Sequence, residues 1–333
     1  MVRLTQGVRA SRLRRTVTEH PAPASAPDVV VLGSANADVV LAVERVPAAG
    51  ETVLARSTAR YPGGKGLNQA VAATRAGART AFLAALGQDE AGSALAAVLT
   101  EHGVSAALVR RVDVPTGTAH IAVQDDGDNA IVVAPGANAT LTGLTGRDAE
   151  AIATARVLVA QLEVPLEGVL AGARAAQGAG TAVVLNAAPA RPLPDELLGL
   201  VDVLVVNEHE AAELAGASGA GGDVGATARH LLQRVPAVVV TLGGAGALHA
   251  RRTAEEGRVP APVVDVVDTT GAGDTCTGVL AAALAQGAPL ADAVRRAVVA
   301  GALSVQVRGA VPSIPTAEQV DRALADHGGA ARG

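Results

Sequence analysis

The chain has 333 residues, a formal net charge of −5 and a pI of about 5.8, a balance that gives no support for nucleic-acid or anionic-membrane binding. No apolar run is long enough to span a bilayer. One cysteine, Cys276, excludes an intramolecular disulfide framework and suits a reducing, cytoplasmic compartment.

Residues 1–27 read differently from the rest. Arg3, Arg9, Arg12, Arg14 and Arg15 precede a Pro/Ala/Ser stretch, and no apolar core follows them, so this is not a secretory signal. The segment fits a disordered or non-native extension better than an organellar transit peptide, and no fold is assigned to it.

From Asp28 onward short apolar, β-branched runs alternate with Ala-rich helical stretches. Strands are expected over 29–32, 80–86, 155–160, 181–185, 201–206 and 237–242. Helices are expected over 67–76, 90–102, 148–155, 167–177, 208–215, 227–234, 273–286 and 290–307. Continuous apolar strands suit burial on both faces, so the pattern predicts a doubly wound α/β fold with a mainly parallel sheet and ligands at its carboxyl edge. One domain over 28–325 is expected, with a short tail over 326–333. Segments 38–59 and 112–133 break the alternation and read as short strands joined by turns, with 124–129 as a hairpin loop.

Two glycine-rich stretches carry chemistry. Tyr61-Pro62-Gly63-Gly64-Lys65-Gly66-Leu67-Asn68-Gln69-Ala70 opens a helix. It is not a Walker loop, because Lys65 is followed by Gly66 and the upstream spacing is wrong. Its amides, the Lys65 ammonium and the Asn68 amide converge on one region, which suits a polyhydroxylated ligand; a plain turn with a solvated lysine is the alternative. In the second stretch, Asp268-Thr269-Thr270-Gly271-Ala272-Gly273-Asp274, the small residues let free helix-start amides of Gly271, Ala272 and Gly273 gather around an anion. Asp274 then stands where a hydroxyl could lose its proton while attacking a phosphoryl group held over those amides. A glycine-rich cap with Asp in its first turn explains the same residues.

In this order and spacing the two stretches resemble the signatures of the ribokinase-type carbohydrate kinase family. Further matching segments are 33–38, 161–163, 185–190, 207–210 and 241–243, so the resemblance covers roughly 28–323. It implies a small β-sheet lid built from 38–59 and 112–133, which closes over a sugar and pairs with a second subunit into a homodimer. It also implies that Asn36, Asp38, Gly64, Lys65, Asn68 and Glu163 hold sugar hydroxyls, with Asp274 as the base. Thr241, Leu242, Gly243, Gly244, Ala245 and Gly246, with Asn207 and Gly273, would hold ATP. Glu210 would act on Mg²⁺ through water, although Asn207 and Glu210 equally satisfy a capping box. Asp268, Thr270, Ser304, Val307, Gly309 and Ser313 would surround K⁺ through mostly carbonyl oxygens. With only 1% aromatic residues, adenine would lie between aliphatic surfaces.

The function expected is ATP-dependent phosphorylation of a pentose at its primary hydroxyl, with D-ribose at O5 foremost. Another sugar or a nucleoside, or a catalytically silent sugar-binding regulator, stands as the alternative. A nicotinamide-dependent oxidoreductase is disfavoured because no G-x-G-x-x-G spacing is completed.

Overall fold

In the computed structural model, residues 26–124, 128–216, 223–253 and 255–330 are described. Most of the Arg-rich leader, the centre of the expected hairpin loop and the last three residues lie outside them. The strands of the main sheet are β1 (Val29–Leu32), β4 (Thr80–Gly87), β5 (Ser105–Val112), β8 (Val157–Ala160), β9 (Ala182–Asn186), β10 (Val203–Asn207), β11 (Ala237–Thr241), β12 (Ala247–Arg251) and β13 (Glu256–Val259). They lie in the order β13-β12-β11-β10-β9-β8-β1-β4-β5. All neighbours run parallel except β11–β12 and β12–β13, which close one edge antiparallel.

The apolar runs explain this layering. Val29 and Val31 face one buried cluster and Val30 and Leu32 the other, because successive side chains leave opposite faces of a strand. On the first face pack α1 (Lys65–Arg75), α2 (Glu90–Glu101), α8 (Ala272–Ala285) and α9 (Leu290–Ser304). On the second pack α3 (Gly146–Thr154), α4 (Leu166–Ala179), α5 (Asp195–Leu200), α6 (Glu208–Leu214) and α7 (Val224–Leu231). Two C-terminal helices follow, the short α10 (Ala310–Ser313) and the 14-residue α11 (Ala317–Ala330).

A second sheet stands apart, with β2 (Asn36–Ala42), β3 (Ser57–Gly63), β6 (Gly117–Val123) and β7 (Asn129–Ala134) in the order β3-β2-β6-β7. It is built from the two segments that broke the α/β alternation. Its bounds differ from those expected: β2 and β3 reach Asn36 and Gly63, while Val112 ends β5 of the main sheet. β5 was not expected, because its half-exposed edge sequence SAALVRRV lacks the continuous apolar run of the inner strands. The expected helix over 227–234 begins earlier, at Val224, because the Asp223 carboxylate accepts from Gly225 N and caps it. The expected helix over 290–307 stops at Ser304.

The order of strand addition reverses beside β1: β4 and β5 lie on one side of it and β8 to β11 on the other. A doubly wound sheet opens its ligand crevice at such a switch point, outside the carboxyl ends of the strands. Several of the parallel strands end in, or are followed by, a polar side chain: Asn36 beyond β1, Gln161 beyond β8, Asn186 on β9, Asn207 on β10 and Thr241 on β11.

Candidate active site

The glycine turn before α1 is pressed against the chain that leaves β1. Gly64 has φ 90°, and a Cβ there would lie 2.8 Å from Ala35 Cα and Asn36 N, so both conformation and space demand glycine. Leu67 N donates to Ser34 O, closing the two segments on each other. Glu163 enters from the end of β8, and its carboxylate accepts from the Ser34 hydroxyl at 2.5 Å and from Lys65 N at 3.1 Å.

Asp274 lies at the third position of α8, whose N-cap is Gly271 in the left-handed conformation. Although from the other end of the chain, it meets α1 directly. Asn68 Nδ2 donates to Asp274 Oδ2 at 2.9 Å, and Gln69 Nε2 donates to Asp274 Oδ1 at 2.9 Å. All three side chains are buried. Asp274 is also the main reason the Lys65 ammonium is held above its ordinary range, against the opposing effect of burial, with Glu163 and Glu210 adding to it.

Asp38 on β2 completes the acidic side. Burial, then the carboxylates of Glu163 and Asp274, push its pKa up to about 7. Its Oδ1 and the Oδ1 of Asn68 are buried without a hydrogen-bond partner among the described residues. Buried acceptors seldom remain unmatched, and a ligand bearing several hydroxyls supplies the donors they lack. Asn36 is oriented as well: Asn138 Nδ2 donates to Asn36 Oδ1 at 2.8 Å, while Asn138 Oδ1 accepts from Ala35 N. The Asn36 amide nitrogen is thereby left as the free donor.

On the far side of α8 a cavity of about 370 Å³ is lined by Thr241, Gly243, Gly244, Gly246, Gly273 and a wall of Val and Ala side chains with Cys276. No aromatic ring lines it. Leu242 and Ala245, expected at the nucleotide, do not line this cavity; Leu242 N instead closes the loop onto Gly246 O at 2.8 Å. Asn207 is also outside the lining and caps α6, with Asn207 Oδ1 accepting from Glu210 N and Glu210 Oε2 accepting from Asn207 N. The capping-box alternative therefore describes that pair, and it leaves the half-capped Glu210 carboxylate near Lys65. Burial, the larger influence, pushes the Glu210 pKa up. The Cys276 thiol is pushed up to about 12 by burial, which makes it a packing group.

The expected trio of anion-binding amides is altered in one member. Ala272 N donates to Thr269 O at 3.2 Å, a turn bond that directs it away, whereas Gly271 N and Gly273 N have no acceptor among the described residues. Asp268 ties this loop to the C-terminal segment: Oδ1 accepts from Thr270 N and Oγ1, and Oδ2 accepts from Gly309 N at 2.8 Å. Val305 O accepts from both Val267 N and Asp268 N. Thr270 and Gly309 thus adjoin Asp268. The Ser304 and Ser313 hydroxyls donate to carbonyls of their own segments, Gly301 O and Ala310 O.

Two unmatched buried acceptors on one side, an aliphatic cavity on the other, and a buried aspartate beside free helix-start amides between them suit phosphotransfer. The pfkB family carbohydrate kinase model matches residues 26–317. The chain belongs to that family. It is 38% identical to the ribokinase of Haemophilus influenzae over 295 residues, covering 87% of this chain and 96% of that one. It is 37% identical to the ribokinase of Schizosaccharomyces pombe over 309 residues, covering 88% and 96%. The ribokinase of Arabidopsis thaliana complexed with ribose and ATP superposes with a TM-score of 0.83 at 35% identity, covering 90% of this chain and 99% of that one.

Within this carbohydrate kinase the residues that sequence reasoning passed over are those that hold the others. Ser34, Gln69, Gln161 and Asn186 sit inside the segments that carry the family resemblance, yet had no role. For three the signal was available, since Ser34, Gln161 and Asn186 are polar residues at or just past the end of an otherwise apolar strand, whereas Gln69 lies on α1 and gave none. Asn138, in a Pro-Gly-Ala-Asn turn, gave no such signal.

Proposed function

We propose that the protein is a ribokinase that transfers the γ-phosphoryl group of ATP to O5 of D-ribose. The observation that carries this reading is the paired environment of Asp274: amide donors from α1 on the sugar side and the free amides of Gly271 and Gly273 on the phosphate side. Asp38, Asn36, Gly64, Lys65, Asn68 and Glu163 hold the sugar hydroxyls. Asp274 accepts the O5 proton as that oxygen attacks, and the Gly271 and Gly273 amides stabilise charge on the transferring group. Two ribokinases that resemble the chain by more than a third of their residues, and a ribose and ATP complex of a third, support the pentose reading.

ATP takes the cavity beside Thr241, Gly243, Gly244 and Gly246, with its base between aliphatic walls. Mg²⁺ would be reached through water from Glu210, whose buried carboxylate lies close enough to Lys65 and Asp274 to feel both charges, and it would supply charge neutralisation at the phosphates. K⁺ fits the junction of Asp268, Thr270, Ser304, Val307, Gly309 and Ser313, where one carboxylate and neutral oxygens suit a large monovalent ion better than a divalent one. It would order the loop that carries Gly271. Ile131, Val132 and Val133 are 55%, 69% and 45% exposed on edge strand β7, an apolar row that pairing of two small sheets into a homodimer would cover. We place the enzyme in the cytoplasm.

An ATP-consumption screen of the purified protein across pentoses, hexoses and nucleosides tests the assignment. The reading requires D-ribose to have the highest kcat/KM. A hexose or nucleoside preference replaces the substrate and keeps the kinase, whereas no sugar-dependent ADP formation favours the silent binding protein.

A further inference from the structure

We propose that Gln69 is a positioning residue for Asp274, the last link of a buried amide chain that ties the base to the sheet; this rests on the reading of Asp274 as the base. The chain starts at a main-chain group. Val205 O, on β10, accepts from Asn186 Nδ2 at 3.2 Å. A carbonyl can only accept, so Asn186 must turn its amide nitrogen to Val205 and its oxygen to α1. That oxygen takes a hydrogen bond from Gln69 Nε2 at 3.0 Å. Gln69 is therefore fixed with its nitrogen inward, and the second hydrogen of that nitrogen goes to Asp274 Oδ1 at 2.9 Å. Its oxygen is matched from the other direction by Gln161 Nε2 at 2.6 Å.

Each member is buried; Gln69 and Gln161 are completely inaccessible. Gln69 and Gln161 are closed to water, and the carbonyl of Val205 sets the polarity that Asn186 and Gln69 pass on to Asp274. The backbones are registered too. A Cβ at Gly278 of α8 would lie 2.5 Å from Gln69 O, so the two helices meet at near contact where the chain crosses between them.

The consequence concerns the carboxylate plane. Asn68 fixes Oδ2 and Gln69 fixes Oδ1, so neither oxygen can swing about the Cβ–Cγ bond without losing a buried hydrogen bond. Each oxygen keeps a further lone pair, and the pair aimed at the sugar is held in place. With Asn68 alone the carboxylate would pivot. Asn68 has its own call on the sugar, through its unmatched Oδ1, while Gln69 has none. Its loss is therefore expected in kcat and not in substrate binding.

Steady-state kinetics of Gln69→Met, Asp274→Asn and the double variant, with folding followed by thermal melting, test the proposal. Methionine keeps length and apolar bulk and removes both polar ends. The expected outcome for Gln69→Met is a fall in kcat of about 10–100-fold, with KM for sugar and ATP within about threefold of the parent. In the Asp274→Asn background the same replacement should change kcat less than about twofold, because the group it positions is gone. Gln69→Glu provides a second variant that retains volume and the acceptor for Gln161; it should also lose kcat with KM maintained. A folded Gln69 variant of either kind with parental kcat, a rise in KM in place of a fall in kcat, or losses that multiply in the double variant would overturn the proposal. Near-normal turnover of Asp274→Asn alone would instead remove the base on which it rests.

Discussion

Asn68 Nδ2 lies 2.9 Å from Asp274 Oδ2, joining residues 206 positions apart in the chain. This contact fuses the two glycine loops into one site. The first loop carries the Asn68 and Gln69 amides and Lys65, and the second carries the Asp274 carboxylate and the helix-start amides. In the proposed mechanism, a hydroxyl bound against Asn68 is thereby brought to the carboxylate that would deprotonate it.

Asp38 makes stability depend on pH. An unfolded aspartate titrates at 3.8, and burial beside Glu163 and Asp274 raises the folded value to about 7. The folded state thus binds this proton more tightly, so the contribution of Asp38 is greatest below the unfolded value and is lost as pH rises towards about 7. Asp38→Asn cannot ionise. Thermal melts of the ligand-free protein should show the variant gaining on the parent between pH 4 and pH 7, with sugar KM raised. A Tm difference independent of pH would deny the coupling.

How much of this was legible in the sequence follows from where each residue sits. Val29-Val30-Val31-Leu32 could be read as a doubly buried strand because nothing polar interrupts it, and Gly64 as an obligatory turn because its neighbours are glycine and lysine. Strands β12 and β13 escaped because an antiparallel edge with Arg251, Glu256 and Arg258 lacks that continuous apolar pattern. The Ala272 amide could not be known to turn towards Thr269, since a glycine-rich sequence fixes freedom and not direction. Gln69 and Gln161 were visible as letters, but their pairing depends on two helices and two strands meeting at one point.

The loop proposed to hold the nucleotide has no room for a side chain at Gly246. Its φ is 95°, and a Cβ would lie 1.9 Å from Val259 O. Gly246→Ala should cost about 1–3 kcal/mol of stability from backbone strain alone. It should also raise KM for ATP well above the parental value while sugar KM stays nearly constant, as steady-state kinetics with each substrate varied will show.

The K⁺ site proposed at Asp268 predicts a salt effect. Replacing Na⁺ by K⁺ at constant ionic strength should raise kcat several-fold. Asp268→Ala frees Thr270 and Gly309 together and should abolish that difference while lowering kcat in both salts. Equal rates of the parent enzyme in both salts would remove K⁺ from the scheme.

The central claim is that Asp274 removes the proton from the attacking hydroxyl. Asp274→Asn preserves size and retains a carbonyl oxygen at the third position of α8, but has no proton-accepting carboxylate. A positioned general base typically contributes about 10²–10⁴-fold, so kcat should fall by at least the lower figure while calorimetry still detects sugar and ATP binding. A folded Asp274→Asn protein that keeps most of its turnover would contradict the account.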